Sequence, residues 1–129
     1  MTPALYLDSV SKHFAGHTAV DRLSLSIPPG TIHGLLGPNG AGKSTTLRMT
    51  MNILLRDGGR LEVLGRDPEQ DREVLRRVGY LPEERGLYKR MKVLDTIVFF
   101  GRLKGLSRRE ATEAGREWLE RLGLAEWTD

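Results

Sequence analysis

The sequence predicts an α/β fold, and three observations carry that prediction. A glycine-rich loop, Gly37 to Thr45, lies between an apolar run and a helical pattern; strand-like alternation precedes it; helical periodicity dominates beyond Val93. Apolar and polar residues alternate over Leu5-Tyr6-Leu7-Asp8-Ser9-Val10 and over Leu23-Ser24-Leu25-Ser26-Ile27, the period of half-buried strands. Pro28-Pro29-Gly30 turns the second segment back toward Thr31-Ile32-His33-Gly34-Leu35-Leu36, an apolar run that reads as a buried strand entering the loop. Two antiparallel strands are thus expected before it. Lys43 to Met51, with Leu47 and Met51 four apart, reads as the helix that leaves the loop.

Farther along, Asp57-Gly58-Gly59 marks a tight turn, and the alternation of Arg60 to Leu64 predicts a short strand joining the antiparallel layer. Asp67 reads as an N-cap with Pro68 at the first helical position and Gln70 as capping-box partner, opening a helix to about Arg77. Val78-Gly79-Tyr80-Leu81 reads as a brief strand ended by Pro82. Val93 to Leu103 then places Leu94, Ile97, Val98 and a neighbouring Phe on one helical side. Ser107-Arg108-Arg109-Glu110 is a capping box for a helix carrying Ala111, Ala114, Trp118, Leu119 and Leu122, with Gly123 as its stop. Phe99, Phe100, Trp118 and Trp127 read as packing residues.

Composition narrows the function classes. At 129 residues, 39% apolar and 29% charged, the chain has the makeup of a globular protein with a real core. Its 20 basic and 17 acidic residues give a net charge of +3, but the signs are interleaved, so no nucleic-acid partner is expected. The longest purely apolar run, Ile97-Val98-Phe99-Phe100, is far short of the roughly 18 residues that span a bilayer, and Met1 to Val10 has no basic leader region. The absence of cysteine excludes disulfides and thiol chemistry.

The chemistry is stated by Gly37-Pro38-Asn39-Gly40-Ala41-Gly42-Lys43-Ser44-Thr45, which fits the phosphate-binding pattern G-x-x-x-x-G-K-[ST]. Its glycines let the backbone curl so that successive N–H groups point at phosphate oxygens. The following helix presents its unpaired amides and positive dipole end to the same anion. Lys43 supplies a charge that reaches the β- and γ-phosphates, and the Ser44 hydroxyl is a hard oxygen ligand suited to Mg²⁺.

Three separated segments, Phe14-Ala15-Gly16, the phosphate loop through Thr46, and Val78-Gly79-Tyr80-Leu81-Pro82-Glu83-Glu84-Arg85-Gly86-Leu87-Tyr88, together resemble the ATP-binding subunit of ABC transporters. The last segment looks most like the prokaryotic branch that drives drug or sodium export. The resemblance implies a P-loop NTPase fold of ABC type, with an antiparallel β layer, a partial core sheet and the start of a helical subdomain. It divides the chain into 1–88 (β layer, phosphate loop and Q-loop) and 89–129 (helical subdomain). It implies that Phe14 stacks on adenine, that Val20 lines the ribose side, and that Thr45 and Thr46 donate to the α- and β-phosphates. ATP and Mg²⁺ are the implied cofactors, and the implied partners are an integral-membrane transporter subunit and a second ATP-binding subunit. The implied location is the cytoplasmic face of the cell membrane.

At the Q-loop the chain departs from the pattern, because Glu83 stands where most relatives have Gln. A carboxylate still offers Mg²⁺ an oxygen, so Glu83 is carried as a metal-proximal switch residue, while Glu84 and Arg85 read as loop charges. The family's signature loop, its strand ending in Asp-Glu and its switch His have no counterpart in the sequence. Gly105-Leu106-Ser107-Arg108-Arg109 lacks the signature's glycines, and His13, His17 and His33 all precede or abut the phosphate loop. The chain is therefore expected to be an N-terminal portion that binds ATP better than it hydrolyses it. Two alternatives stay open: a truncated, non-catalytic nucleotide-binding or interaction module, and an ABC ATPase with no role in transport.

Overall fold

A computed structural model describes residues 1–84, 86–87 and 90–128. It divides into two compact units, Met1–Tyr80 and Leu81–Asp129. In the first unit, β1 (Leu5–Phe14), β2 (His17–Ile27) and β3 (Gly58–Val63) form an antiparallel sheet in the order β2-β1-β3, and α1 (Lys43–Thr50) follows the glycine-rich loop. The sequence alternation places Leu7 opposite Leu25 on one side and Leu61 on the other. Leu7, Val10, Val20, Leu61 and Val63 are buried together with Met49 of α1 and Val74. Burying a side chain of this size contributes about 1.5–3 kcal/mol. Met49 is the one buried apolar residue of α1, flanked by Thr46 and Thr50, so it anchors that helix while leaving its N-terminus open.

The ladder between β1 and β2 is interrupted between Leu7 and Val10 and again before Lys12. Side chains take over there: Ser9 N–H donates to Ser24 Oγ and Arg22 N–H to Ser11 Oγ, each at 2.9 Å. Gly58 and Gly59 do not form the expected turn but lie within β3, at the irregularity facing Asp8 to Ser11. Gly59 has φ +83°, and a Cβ there would overlap the Ser9 carbonyl and lie 2.6 Å from that of Asp8. The glycine pair admits a bulged neighbour rather than reversing the chain.

Two other expected strands are not strands. Thr31 to Leu36 pairs with no described residue, and Ile32 and Leu36 are fully exposed. Val78 to Leu81 likewise enters no ladder, and Leu81 is exposed. Both runs are apolar and extended in pattern, but a strand also needs a partner ladder, which neither has among the described residues. The helix expected from Asp67 begins later. Asp67 heads a turn, accepting from Glu69 N–H at 2.9 Å, and a 3₁₀ helix spans Arg72–Arg77 with Asp71 as its cap. Arg56 holds that turn with a forked pair to Asp67 (3.1 and 2.5 Å) and a further contact to Glu69 at 3.1 Å.

The second unit is a helical hairpin, α2 (Val93–Leu103) and α3 (Arg108–Arg121), followed by a short 3₁₀ turn at Ala125–Trp127. Ser107 and Glu110 make the reciprocal capping box. Ala111, Gly115 and Leu119 are buried on α3. A Cβ on Gly115 would lie 3.0 Å from Ile97 Cγ2 and 3.1 Å from Leu94 Cδ1. Small residues thus set the helix spacing. Contrary to expectation, Phe99, Phe100, Trp118 and Trp127 are exposed, because Leu94, Ile97 and the small stripe of α3 already fill the hairpin's inner seam. Arg85 and Tyr88 of the Q-loop segment lie outside the described residues. Among the described residues no helix is long and apolar enough to cross a membrane.

Candidate functional site

The loop from Gly37 to Gly42 owes its shape to two contacts. At Gly42, φ is +92°, and a Cβ would overlap the Ala19 carbonyl oxygen of β2 and lie 3.0 Å from Val20 Cγ2. Only glycine lets the loop lie this close to the strand. Within the loop, Ala41 N–H donates to the Pro38 carbonyl at 3.2 Å, and Gly40 adopts φ +83° with open space around it. Asn39 is exposed.

Lys43 folds back over the loop it follows. Its ammonium donates to the Gly37 carbonyl at 2.6 Å and to the Pro38 carbonyl at 2.8 Å, so the charge sits on the loop's rim. Gly42 is the N-cap of α1; no side chain caps that end, and no acid occupies the first turn. Among the described residues no side-chain cap and no first-turn acid thus offsets these amides and the positive dipole end. Ser44 is exposed and Thr45 half-buried, whereas Thr46 is buried and its hydroxyl donates to the Gly42 carbonyl at 2.8 Å, within the helix's own first turn.

Val20 is buried against Gly42 and pairs with Lys12 across the β1–β2 ladder. Two residues on, Phe14 closes the hairpin opposite His17 with its ring half exposed. The structure thus gathers Phe14, Val20 and residues 37–46 in one unit. Glu83 is exposed in the second unit. Among the described residues no cluster of three metal-ligating side chains occurs.

Sequence reasoning missed three residues beside this site. Ala19 contributes its backbone oxygen, which no side-chain pattern could reveal. Lys12 places its ammonium 5.5 Å from the Phe14 ring centroid and 2.9 Å from Asp57 Oδ1. The spacing of two between Lys12 and Phe14 on a strand was a readable signal for the first contact, whereas Asp57 comes from 45 residues away. Asp57 also accepts the His13 N–H at 2.6 Å, and this bond, followed by the Lys12 ammonium, holds its carboxyl below the usual carboxylate range.

Comparison with known proteins shows the family and the fold. The family described as ABC transporter matches residues 20–129. An uncharacterized ABC transporter ATP-binding protein of Bacillus subtilis is 45% identical over 123 residues, covering 95% of this chain and 41% of that protein. A daunorubicin resistance ATP-binding protein of Streptomyces coeruleorubidus is 38% identical, covering 95% and 39%. A Nod factor export ATP-binding protein of Cupriavidus metallidurans is 38% identical, covering 93% and 40%. The chain spans about two fifths of the length of these curated relatives. A solved ATP-binding subunit of an ABC transporter superposes with TM-score 0.84 at 22% identity, over 97% of this chain and 52% of that one, which establishes the fold.

Proposed function

The chain belongs to the ABC transporter family, and from that premise we propose that residues 37–46 grip the phosphates of MgATP in the motor of an exporter. The observation that carries this reading is the Gly42 cradle: a backbone position closed to any Cβ, joined to a helix end that no side chain caps and to a lysine resting on the loop's rim. Such an arrangement is an anion site with its counter-charge already in place. Lys43 would exchange its two carbonyl partners for phosphate oxygens, and Thr45 and Thr46 lie in the helix turn that follows.

For the metal, Ser44 offers an exposed hydroxyl at the start of α1. That suits Mg²⁺, which is characteristically held by few protein oxygens together with substrate phosphates and water. Bound MgATP supplies the phosphoryl group whose transfer to water drives the motor. This chain's contribution is to bind and orient the nucleotide, with Phe14 stacking on the base and Val20 beside the sugar.

In the complete protein the same site would couple ATP hydrolysis to export through membrane subunits and a second ATP-binding subunit at the cytoplasmic face of the membrane. The roles named for relatives, daunorubicin resistance and Nod factor export, support export over import. The test is MgATP titration of the chain and of Lys43→Ala. At least a tenfold loss of affinity is expected, about 1.4 kcal/mol, with the thermal midpoint nearly unchanged. Equal affinity of the two would remove the phosphate role.

A further inference from the structure

We propose that Lys12 is a positioning residue for the nucleotide base: held by Asp57 against one face of the Phe14 ring, it fixes that ring and leaves the opposite face for adenine. The proposal rests on the reading of Phe14 as the stacking residue. Its own ground is a set of short contacts. Asp57 is tied to three consecutive residues of β1, donating its N–H to the Ser11 carbonyl at 2.9 Å while its carboxylate takes the Lys12 ammonium at 2.9 Å and the His13 N–H at 2.6 Å. This clamp ends immediately before Phe14.

Exposure distinguishes the two side chains that meet there. The Lys12 side chain is 14% exposed, although lysine usually extends into water, whereas Phe14 is 46% exposed. An ammonium 5.5 Å from the ring centroid lies within the range of cation–π attraction, so the ring is held on one face while much of it stays accessible. The strand bearing both residues is one ladder step from the phosphate loop, since Lys12 pairs with Val20 of β2 and Val20 packs at Gly42. A base stacked on Phe14 would therefore meet a ring whose freedom had been removed before binding, which is how preorganisation raises affinity.

The test compares MgATP with magnesium tripolyphosphate, which carries the phosphates without a base, on the full chain. Lys12→Met, which keeps the apolar stem, is expected to weaken ATP about threefold to tenfold and to leave tripolyphosphate unchanged. In a Phe14→Leu background the same change should have no further effect on ATP. Asp57→Asn, which retains the lysine but loosens its clamp, should reproduce part of the loss and serves where Lys12→Met folds poorly. Equal weakening of ATP and tripolyphosphate would overturn the proposal, as would a Lys12 effect that persists without Phe14. An unaltered Lys12→Met beside a weakened Phe14→Leu would overturn the Lys12 role alone, whereas an unaltered Phe14→Leu would remove the stacking reading and this proposal together.

Discussion

The sharpest consequence of the loop geometry concerns the two glycines Gly40 and Gly42. Both have positive φ, +83° and +92°, and an L-residue forced into that region costs about 1–2 kcal/mol. They differ in surroundings. A Cβ on Gly40 meets nothing within 4 Å, whereas one on Gly42 overlaps the Ala19 carbonyl and sits 3.0 Å from Val20 Cγ2. Relieving that overlap requires the loop to move off β2, a further cost of about 1–3 kcal/mol by analogy with overpacked cores. The free protein can escape by shifting the loop, so the penalty falls on phosphate binding, which needs the original cradle. Gly40→Ala is therefore expected to weaken MgATP binding roughly fivefold to thirtyfold, and Gly42→Ala by at least a further fivefold. Isothermal titration of both variants, with thermal melts alongside, measures the difference. Equal losses at the two positions would refute the role assigned to the contact with Ala19.

Three further outcomes follow from other parts of the molecule. Ser107→Ala removes the oxygen that accepts from Glu110 N–H and should destabilise the helical hairpin by about 1 kcal/mol in denaturant unfolding. Gly115→Val inserts a branched side chain 3.0 Å from Ile97 and 3.1 Å from Leu94, and should lower stability by about 1–3 kcal/mol, with helical content reporting the loss. Asp67 is held below the ordinary carboxylate range, chiefly by its hydrogen bonds to Arg56, and Asp57 chiefly by the His13 N–H. A depressed folded-state pKa means stability that is present above the unfolded value near 4 and is lost as pH falls through the folded value. Thermal midpoints should then be flat near neutrality and decline below about pH 4, with a shallower decline in Asp67→Asn, which begins from a lower midpoint.

How legible these features were depends on whether their cause was local. The capping box at Ser107 and Glu110 is a four-residue arrangement, and the helix bounds Val93–Leu103 follow from one stretch of periodicity; both stand as read. The phosphate loop is likewise contiguous, so its residues could be named from the pattern. Gly58-Gly59 was misread because a glycine pair signals a turn and a bulge equally well, and only the register against Asp8 to Ser11 separates them. The aromatic residues of the hairpin were misread for a related reason. Apolar spacing says which side chains avoid water and marks Ala111 and Leu119, but the seam of α2 and α3 also closes on Gly115, a residue with no side chain for that spacing to register.

The segment Thr31 to Leu36 takes the same reasoning one step further. It leads into the loop, whereas Gly42 is set by Ala19 and Val20 of β2, and α1 is anchored to the buried cluster through Met49. Ile32 and Leu36 are nonetheless apolar and fully exposed, and no described residue offers their backbone a ladder. An apolar run records a requirement for burial, whereas pairing is a property of two segments, of which only one is written there. The phosphate cradle and its entry segment therefore answer to different constraints. The cradle is completed by β2 and α1, while the apolar run of Thr31 to Leu36 finds no ladder among the described residues.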